Sequence, residues 1–261
     1  MADTILTKKE PEKGLITILK KTAGRNNTGR ITVRHRGGGV KRYYRAVEFG
    51  QSNLGQAGKV QAIEYDPNRT CYIALIQYGN GQKQYILAPQ GMRVGDEVIC
   101  DEKVPLKPGN RLKLKNVPVG MMVYNIELVP GMGGKLARGA GSSAQVMAQE
   151  GKYANLKMPS TEIRKVLSEC FVSVGSLSNP EHRFKDWGKA GVARLKGRRP
   201  SVRGSAMNTC DHPHGGGKNK QPIGRHPRTA WGKPALGVKT RKRNKWTNKL
   251  ILQRRVNKKR K

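Results

Sequence analysis

The sequence predicts an all-β protein: two small barrels in succession, a short N-terminal arm before them and an extended, irregular basic tail after them. Three observations carry that prediction. Short apolar or alternating runs recur from residue 31 to residue 174, separated by Gly, Pro and Asn turn signals, as antiparallel strands require. Glycine supplies 32 of 261 residues, which suits turns and close backbone approaches better than long helices. The chain carries 52 Lys and Arg against 17 Asp and Glu, a formal net charge of +35, and residues 181–261 alone hold 25 of the basic and 3 of the acidic residues.

Residues 1–29 form the arm. The first barrel, residues 30–108, is expected from strand-like runs at 31–35, 43–49, 59–65, 71–78, 84–88 and 96–100. Asp66-Pro67-Asn68-Arg69 and Asn80-Gly81 are turn sequences between such runs and make neighbouring strands antiparallel. Lys107-Pro108-Gly109-Asn110 marks a break. Runs at 111–114, 121–128, 144–149, 153–157, 162–166 and 170–174 then predict a second barrel over residues 109–182, with tight turns at Glu150-Gly151 and Pro159-Ser160. Helix is scarce: Asn179-Pro180-Glu181 is placed to cap a short one reaching Trp187, and a second covers Ala190 to Leu195. Residues 183–261 form the tail. No acidic residue follows Asp211, and the apolar positions there are too scattered to close a core, so ordering against a partner is expected.

Charge of this size sets the class of partner. A chain so basic repels itself and attracts polyanions at long range, which makes nucleic acid the expected ligand. No apolar run approaches the roughly 20 residues needed to cross a bilayer, so no membrane partner is expected. The opening MADTILTKKEPEKG lacks an apolar signal core, and its acidic residues argue against a transit peptide. Cys71, Cys100, Cys170 and Cys210 are widely spaced with no C-x-x-C, so reduced and mostly buried thiols are expected rather than a disulfide framework.

Four groups of residues point to phosphate. Arg25, Arg30, Arg34, Arg36, Lys41 and Arg42 are interleaved with glycines between Gly24 and Gly39; glycine lets backbone N–H groups approach a phosphate and guanidinium forks hold it. A plainer alternative is a solvated basic hairpin, and no nucleotide P-loop pattern is present. The loop Met132 to Ser143, carrying Lys135 and Arg138, is too small and polar to pack as a strand and is suited to thread along RNA backbone. In Cys210-Asp211-His212-Pro213-His214-Gly215-Gly216-Gly217, with His226 beyond, three readings compete. They are a zinc site, an Asp211-oriented His212 acting as acid or base, and a kinked segment passing close to nucleic acid. The first lacks standard ligand spacing and the second lacks a nameable nucleophile, so the third is favoured. Arg198, Arg199 and Arg203, then Arg241, Lys242 and Arg243, belong to like-charge blocks that neutralise phosphates when bound. Tyr43, Tyr44, Tyr65, Tyr72, Tyr78 and Tyr85 lie on predicted strands, where core packing is preferred over base stacking. Trp187, Trp231 and Trp246 are left open between local packing and RNA grooves.

The segments GRNNTGRITVRHRGGGVKR, EYDPNRTCYIALIQY, YILAPQGMRVGDEV, KPGNRLKLKNVPVG, GGKLARGAG, KAGVARLKGRRPSVRGSAMN and DHPHGGG stand in that order between residues 24 and 217. Together they resemble the large-subunit ribosomal protein L-two family of bacterial or organellar type, a likeness running to about residue 255. The resemblance implies an oligonucleotide-binding (OB-fold-like) first domain and an SH3-like second one. It also implies a primary binder of large-subunit rRNA, with no cofactor, that supports subunit association, tRNA binding and the peptidyl transferase centre. Small-subunit rRNA across an intersubunit bridge and neighbouring ribosomal proteins are the further partners it implies, in the ribosomes of a bacterial cytoplasm or of an organelle's stroma or matrix. His212 is the residue for which the family carries a disputed suggestion of direct catalysis; a scaffold role is preferred, with no catalytic residue and no metal. This chain departs from the bacterial pattern in a shorter arm before Gly24, in Cys210 where an aliphatic residue is expected, and in GGGKNK where an acidic residue is usual. The expected RNA contacts are therefore the residues named above together with Arg69, Lys218, Arg225 and Arg228.

Two rivals remain at this level. One is a zinc- or histidine-dependent enzyme centred on Cys210, Asp211, His212 and His214; the other is a nucleoid or translation-factor-like protein that meets nucleic acid transiently.

Overall fold

A computed structural model of the chain describes residues 5–217, 224 and 226–255. Backbone contacts divide it into two units: residues 1–19, 41–186 and 247–261 form one, and residues 20–40 with 187–246 form the other.

The first unit is built almost wholly of strands. Its N-terminal half holds β1 (Ile16–Ile18) paired antiparallel with β2 (Tyr43–Arg45). Beside them stands a four-stranded antiparallel sheet ordered β5-β4-β3-β6, from β3 (Ala57–Glu64), β4 (Ile73–Tyr78), β5 (Lys83–Leu87) and β6 (Glu97–Ile99). Both faces of this sheet are covered. Alternate residues of a strand point to opposite faces. Ile73 and Leu75 therefore enter a cluster with Val47, Tyr85 and Leu87, while Ala74 and Ile76 enter another with Val60, Tyr72, Met92 and Val98. A register shift between Val60 and Ala62 lets Ala62 join the first cluster and Ile63 the second. The two turns read from sequence are present. Asp66 Oδ1 accepts the Asn68 N–H at 2.8 Å, Asn80 Oδ1 accepts the Gln82 N–H at 3.0 Å, and Gly81 takes φ +79°.

The second half is a seven-stranded sheet ordered β15-β13-β12-β11-β8-β14-β7. Its members are β7 (Arg111–Lys113), β8 (Met122–Tyr124), β11 (Ala144–Glu150), β12 (Tyr153–Lys157), β13 (Ile163–Leu167), β14 (Phe171–Val174) and β15 (Ile251–Gln253). A separate pair joins β9 (Ile126–Glu127) to β10 (Gly134–Leu136). Leu112, Val123, Ile126, Val146, Leu156, Val172 and Val174 make the core. Tyr124 and Leu177 from this half pack into the Val47 cluster of the first, so the two halves share apolar contacts. The chain is thus all-β, as expected, with a single short α-helix among the described residues, α1 (Ala190–Leu195). The described hydrogen-bonded ladders do not close into rings. Isolated bridges such as Val47 to Tyr85 and Cys100 to Arg111 connect sheets that remain open.

Four expectations need correction. Residues 31–35 are not a strand: the Thr32 and Val33 N–H groups both donate to Gly24 O, at 2.9 and 3.0 Å, and fold the segment into a loop. Ile31 and Val33 alternate in sequence, yet both are exposed. The Met132 to Ser143 loop does contain a strand, β10, where small residues let the chain pass close to β9. The turn after Asn179 is a 3-10 helix ending at Phe184 rather than a helix to Trp187. Asn179 provides no side-chain cap, since its Nδ2 donates to Thr70 O at 2.7 Å instead. Finally, the basic C-terminal segment is not irregular throughout, because β15 pairs with the edge strand β13. No helix among the described residues is long and apolar enough to cross a membrane.

Candidate nucleic-acid interface

In the first unit, Arg69 and Arg138 meet over a pair of aromatic rings. The Arg69 guanidinium lies 5.4 Å from the centres of both the Tyr44 and Phe49 rings, and that of Arg138 lies 4.5 Å from Phe49. These side chains, with Asn68, Thr70 and Leu87, line an open cleft of about 410 Å³. Each wall is fixed from below. Arg69 pairs with the fully buried carboxylate of Asp66 and also donates to Tyr44 Oη at 3.4 Å. Asn68 Nδ2 donates to Tyr43 O at 2.7 Å, and Thr70 Oγ1 accepts the Ala140 N–H at 3.0 Å, which ties the Arg69 turn to the Arg138 loop. The exposed Arg138 guanidinium, held on an aromatic face, matches a phosphate oxygen pair or the edge of a base.

The loop carrying Lys135 and Arg138 is held by a buried ion pair. Glu127 is 0% exposed; its Oε1 accepts the Gly133 N–H and its Oε2 the Phe171 N–H, each at 3.0 Å, and Gln51 Nε2 also donates to it. Arg111 Nη2 lies 3.2 Å from Glu127 Oε1, and Arg111 Nη1 donates to Asn125 O at 2.8 Å. Burial draws the Arg111 guanidinium below its ordinary pKa, and the Glu127 charge opposes that shift. Two of the loop's glycines serve this packing. A Cβ on Gly134 would fall 2.0 Å from Asn125 Oδ1, and one on Gly141 2.8 Å from Pro180 Cα. Lys135 and Arg138 themselves stay exposed.

Of the predicted tyrosines, Tyr72, Tyr78 and Tyr85 are core residues, while Tyr43, Tyr44 and Tyr65 are exposed. Tyr43 carries Lys41, whose Nζ lies 5.5 Å from its ring centre, and Arg42 Nη1 donates to Pro67 O at 3.4 Å. Cys71 and Cys170 are buried, Cys100 partly so, and Cys210 exposed, all as free thiols.

In the second unit, Asn26 Oδ1 accepts the N–H groups of Thr28 and Arg30 at 3.1 and 3.0 Å and shapes the loop that exposes Arg25 and Arg30. Arg34 lies over the Trp231 ring at 5.2 Å. Lys196 and Arg198 share Trp187, at 3.8 and 4.9 Å from its ring centre. Arg199, Arg203, Arg228, Arg241, Lys242 and Arg243 are exposed, as is His226, whereas Lys218 and Arg225 lie outside the described residues.

His212 and His214 occupy a tight turn. Their rings meet edge to face with centres 4.9 Å apart. His212 Nδ1 accepts the His214 N–H at 3.0 Å, and His214 Nε2 accepts the Arg228 N–H at 2.9 Å. The remaining nitrogens, His212 Nε2 and His214 Nδ1, are thereby the N–H donors. Glycine is required here on both sides: a Cβ on Gly204 would meet the His212 ring at 2.5 Å, and one on Gly215 would meet Asn208 O at 2.2 Å. The partner of His212 Nδ1 is thus the His214 backbone N–H and not the Asp211 carboxylate. Among the described residues no group of three or more His, Cys, Asp and Glu side chains is placed to hold a metal ion.

Two family models match the chain. One, described as the RNA binding N-terminal domain of Ribosomal Proteins L2, covers residues 12–100; the other, the C-terminal domain of the same proteins, covers residues 107–232. The chain belongs to the ribosomal protein L2 family. Membership makes it a structural, rRNA-binding constituent of the large ribosomal subunit, and its two β domains are the OB-like and SH3-like ones of that family. Sequence reasoning missed Phe49, Asp66, Arg111 and Glu127, which hold the cationic side chains in place. The signal for Asp66 lay in its turn motif, but Phe49 carried none, since its partners come from distant loops.

Proposed function

We propose that this protein is a non-catalytic scaffold that fastens folded large-subunit rRNA at the peptidyl transferase region, supporting tRNA binding and subunit association. Its partners in this reading are large-subunit rRNA, small-subunit rRNA across an intersubunit bridge, and neighbouring ribosomal proteins, in a bacterial cytoplasm or an organelle. Arg69, Lys135 and Arg138 take RNA at residues 30–182, while the loop cations from Arg25 to Arg42 and the segment from Arg198 to Arg243 take further phosphates. The observation that carries the reading is the Arg69–Arg138 cleft, where Arg69 is braced on aromatic rings and a buried carboxylate and Arg138 lies exposed over the Phe49 ring. Phosphate contacts of this kind position a protein on folded RNA, which is read largely by shape.

A scaffold role for His212 is supported by its bonding: Nδ1 accepts the His214 N–H and stabilises the turn. Large subunits assembled with the His212→Gln chain test this. Peptidyl transfer within about twofold of wild type is expected; a general acid or base would cost about 10²–10⁴, and a loss of that size in fully assembled particles would overturn the scaffold reading.

A further inference from the structure

The loop 20–40 lies within the N-terminal family match and residues 187–232 within the C-terminal one, yet the two segments form one unit. Their junction is specific. The Gly37 N–H donates to Gly197 O at 3.0 Å, the Val40 N–H to Leu195 O at 2.9 Å, and the Arg199 N–H to His35 O at 3.0 Å. Gly39 and Gly197 touch backbone to backbone, so a Cβ on Gly39 would stand 3.0 Å from both N and Cα of Gly197. Within this junction Arg36 and Arg198 face each other as an antiparallel bridge pair.

That pairing is electrostatically unfavourable on its own. Side chains directly opposite in an antiparallel pair stand on one face with their Cβ atoms about 4.5–5.5 Å apart, and like charges there repel. Trp187 holds the Arg198 guanidinium at 4.9 Å and draws in Lys196 as well, which raises the local charge further. Acidic residues are scarce around it: the unit's sequence holds 22 Lys and Arg and one acidic residue, Asp211, on the turn of His212, with Asp186 just before Trp187. Nor does a core hold the segments together, for no described residue of 20–40 or 187–246 is buried.

We infer that the Arg36–Arg198 bridge is a composite seat for a single backbone phosphate of folded RNA, so that the 20–40 loop and the 187–246 segment bind as one module rather than as two independent basic arms. This rests on the RNA-binding reading above. One phosphate between two guanidiniums turns their repulsion into a shared, charge-assisted contact.

The test uses the full chain and in-vitro-transcribed large-subunit rRNA, with Kd measured from 50 to 400 mM salt for wild type, Arg36→Gln, Arg198→Gln and the double variant. Each neutralised phosphate contributes about −0.9 to the slope of log affinity against log salt for duplex and about −0.7 for single strands. If one phosphate is shared, either single variant keeps the wild-type slope and the double variant loses one phosphate's worth. Slopes that fall by one such step in each single variant and by two in the double overturn the shared seat, as does an unchanged slope in the double. A wild-type chain with no salt-dependent binding overturns the RNA reading and this inference together. A second variant, Gly39→Val, is read by hydrogen exchange on the same complex. Residues 33–40 and 194–199 are expected to lose RNA-induced protection together, while β3 to β5 stay protected. Loss confined to 33–40 would refute the single module.

Discussion

Replacing Glu127 by alanine strips the Arg69–Arg138 interface of its foundation without touching an exposed cation. In the native protein Glu127 is 0% exposed, lies 3.2 Å from Arg111 and accepts the N–H groups of Gly133 and Phe171, each at 3.0 Å. Its removal leaves Arg111, only 7% exposed along its side chain, as a buried cation without its carboxylate. Breaking such a pair from one side costs about 3–5 kcal/mol, which is a large share of the roughly 5–15 kcal/mol that holds a domain folded. For a unit of this size about 2–4 °C of Tm follows each kcal/mol, so the melting of the β unit is expected to fall by roughly 6–20 °C. Urea titration followed by circular dichroism gives the free energy, and calorimetry gives the Tm. Pairing Arg111→Met with Glu127→Leu removes both charges and is expected to recover most of the loss, since a buried ion pair exchanges with apolar residues at little cost. A loss below about 1 kcal/mol in Glu127→Ala, or no recovery in the double variant, would refute the argument that this ion pair anchors the Gly133 to Arg138 loop.

Other outcomes follow from the same structure. Burial raises the Glu64 carboxyl above its ordinary value near 4.5, with the hydrogen bond from Tyr85 at 2.7 Å working against the rise. A raised pKa favours the protonated form in the fold, so its contribution is complete below about pH 4.5 and is lost as pH climbs through the folded value. Glu64→Gln is accordingly expected to gain on wild type from pH 4 towards pH 7 in urea midpoints, and a difference that shrinks with rising pH would contradict this. Burial pushes the thiols of Cys71, Cys100 and Cys170 up to about 11, while Cys210 is exposed. Native protein at pH 7.5 is expected to take up one equivalent of a thiol reagent rapidly, at Cys210 by peptide mapping. Arg138→Gln leaves the fold intact, because its side chain is exposed, and is expected to lower the salt slope of rRNA binding by about 1. An unchanged slope would remove Arg138 from the interface.

The fold was legible wherever a strand buries residues on a regular period. Ile73–Tyr78 reads as a strand because both of its faces are covered, and its neighbours are fixed by the Asp66 and Asn80 turns. Strands β1, β10 and β15 were not legible: each has three residues, β1 and β15 form only because a partner distant in sequence supplies an edge, and β10 pairs irregularly with the two-residue β9. Alternation misled at Ile31 to Val33, where hydrogen bonds to Gly24 O outweigh β propensity and no core lies beneath. At the candidate interface the cationic residues are plain from composition and glycine spacing. What steers them is not, because Phe49 under Arg138, Trp187 under Arg198 and Glu127 under the Lys135 loop are tertiary contacts with no local pattern. The DHPHGGG segment shows the same limit. Its histidines announced a special site, but the bond from the His214 N–H to His212 Nδ1 that shapes the turn has no signal in the sequence.

The central claim is that this chain resides in the large ribosomal subunit through many rRNA phosphate contacts. Sedimentation of a native lysate through sucrose at moderate and high salt, with and without ribonuclease, tests it most directly. A binder with 6–10 phosphate contacts and nothing else loses about 10³–10⁵ in affinity between 50 and 200 mM salt, so a transient one leaves the particle in the wash. Co-migration with the large subunit that survives high salt and is abolished by ribonuclease is the predicted result. Protein at the top of every gradient would contradict it.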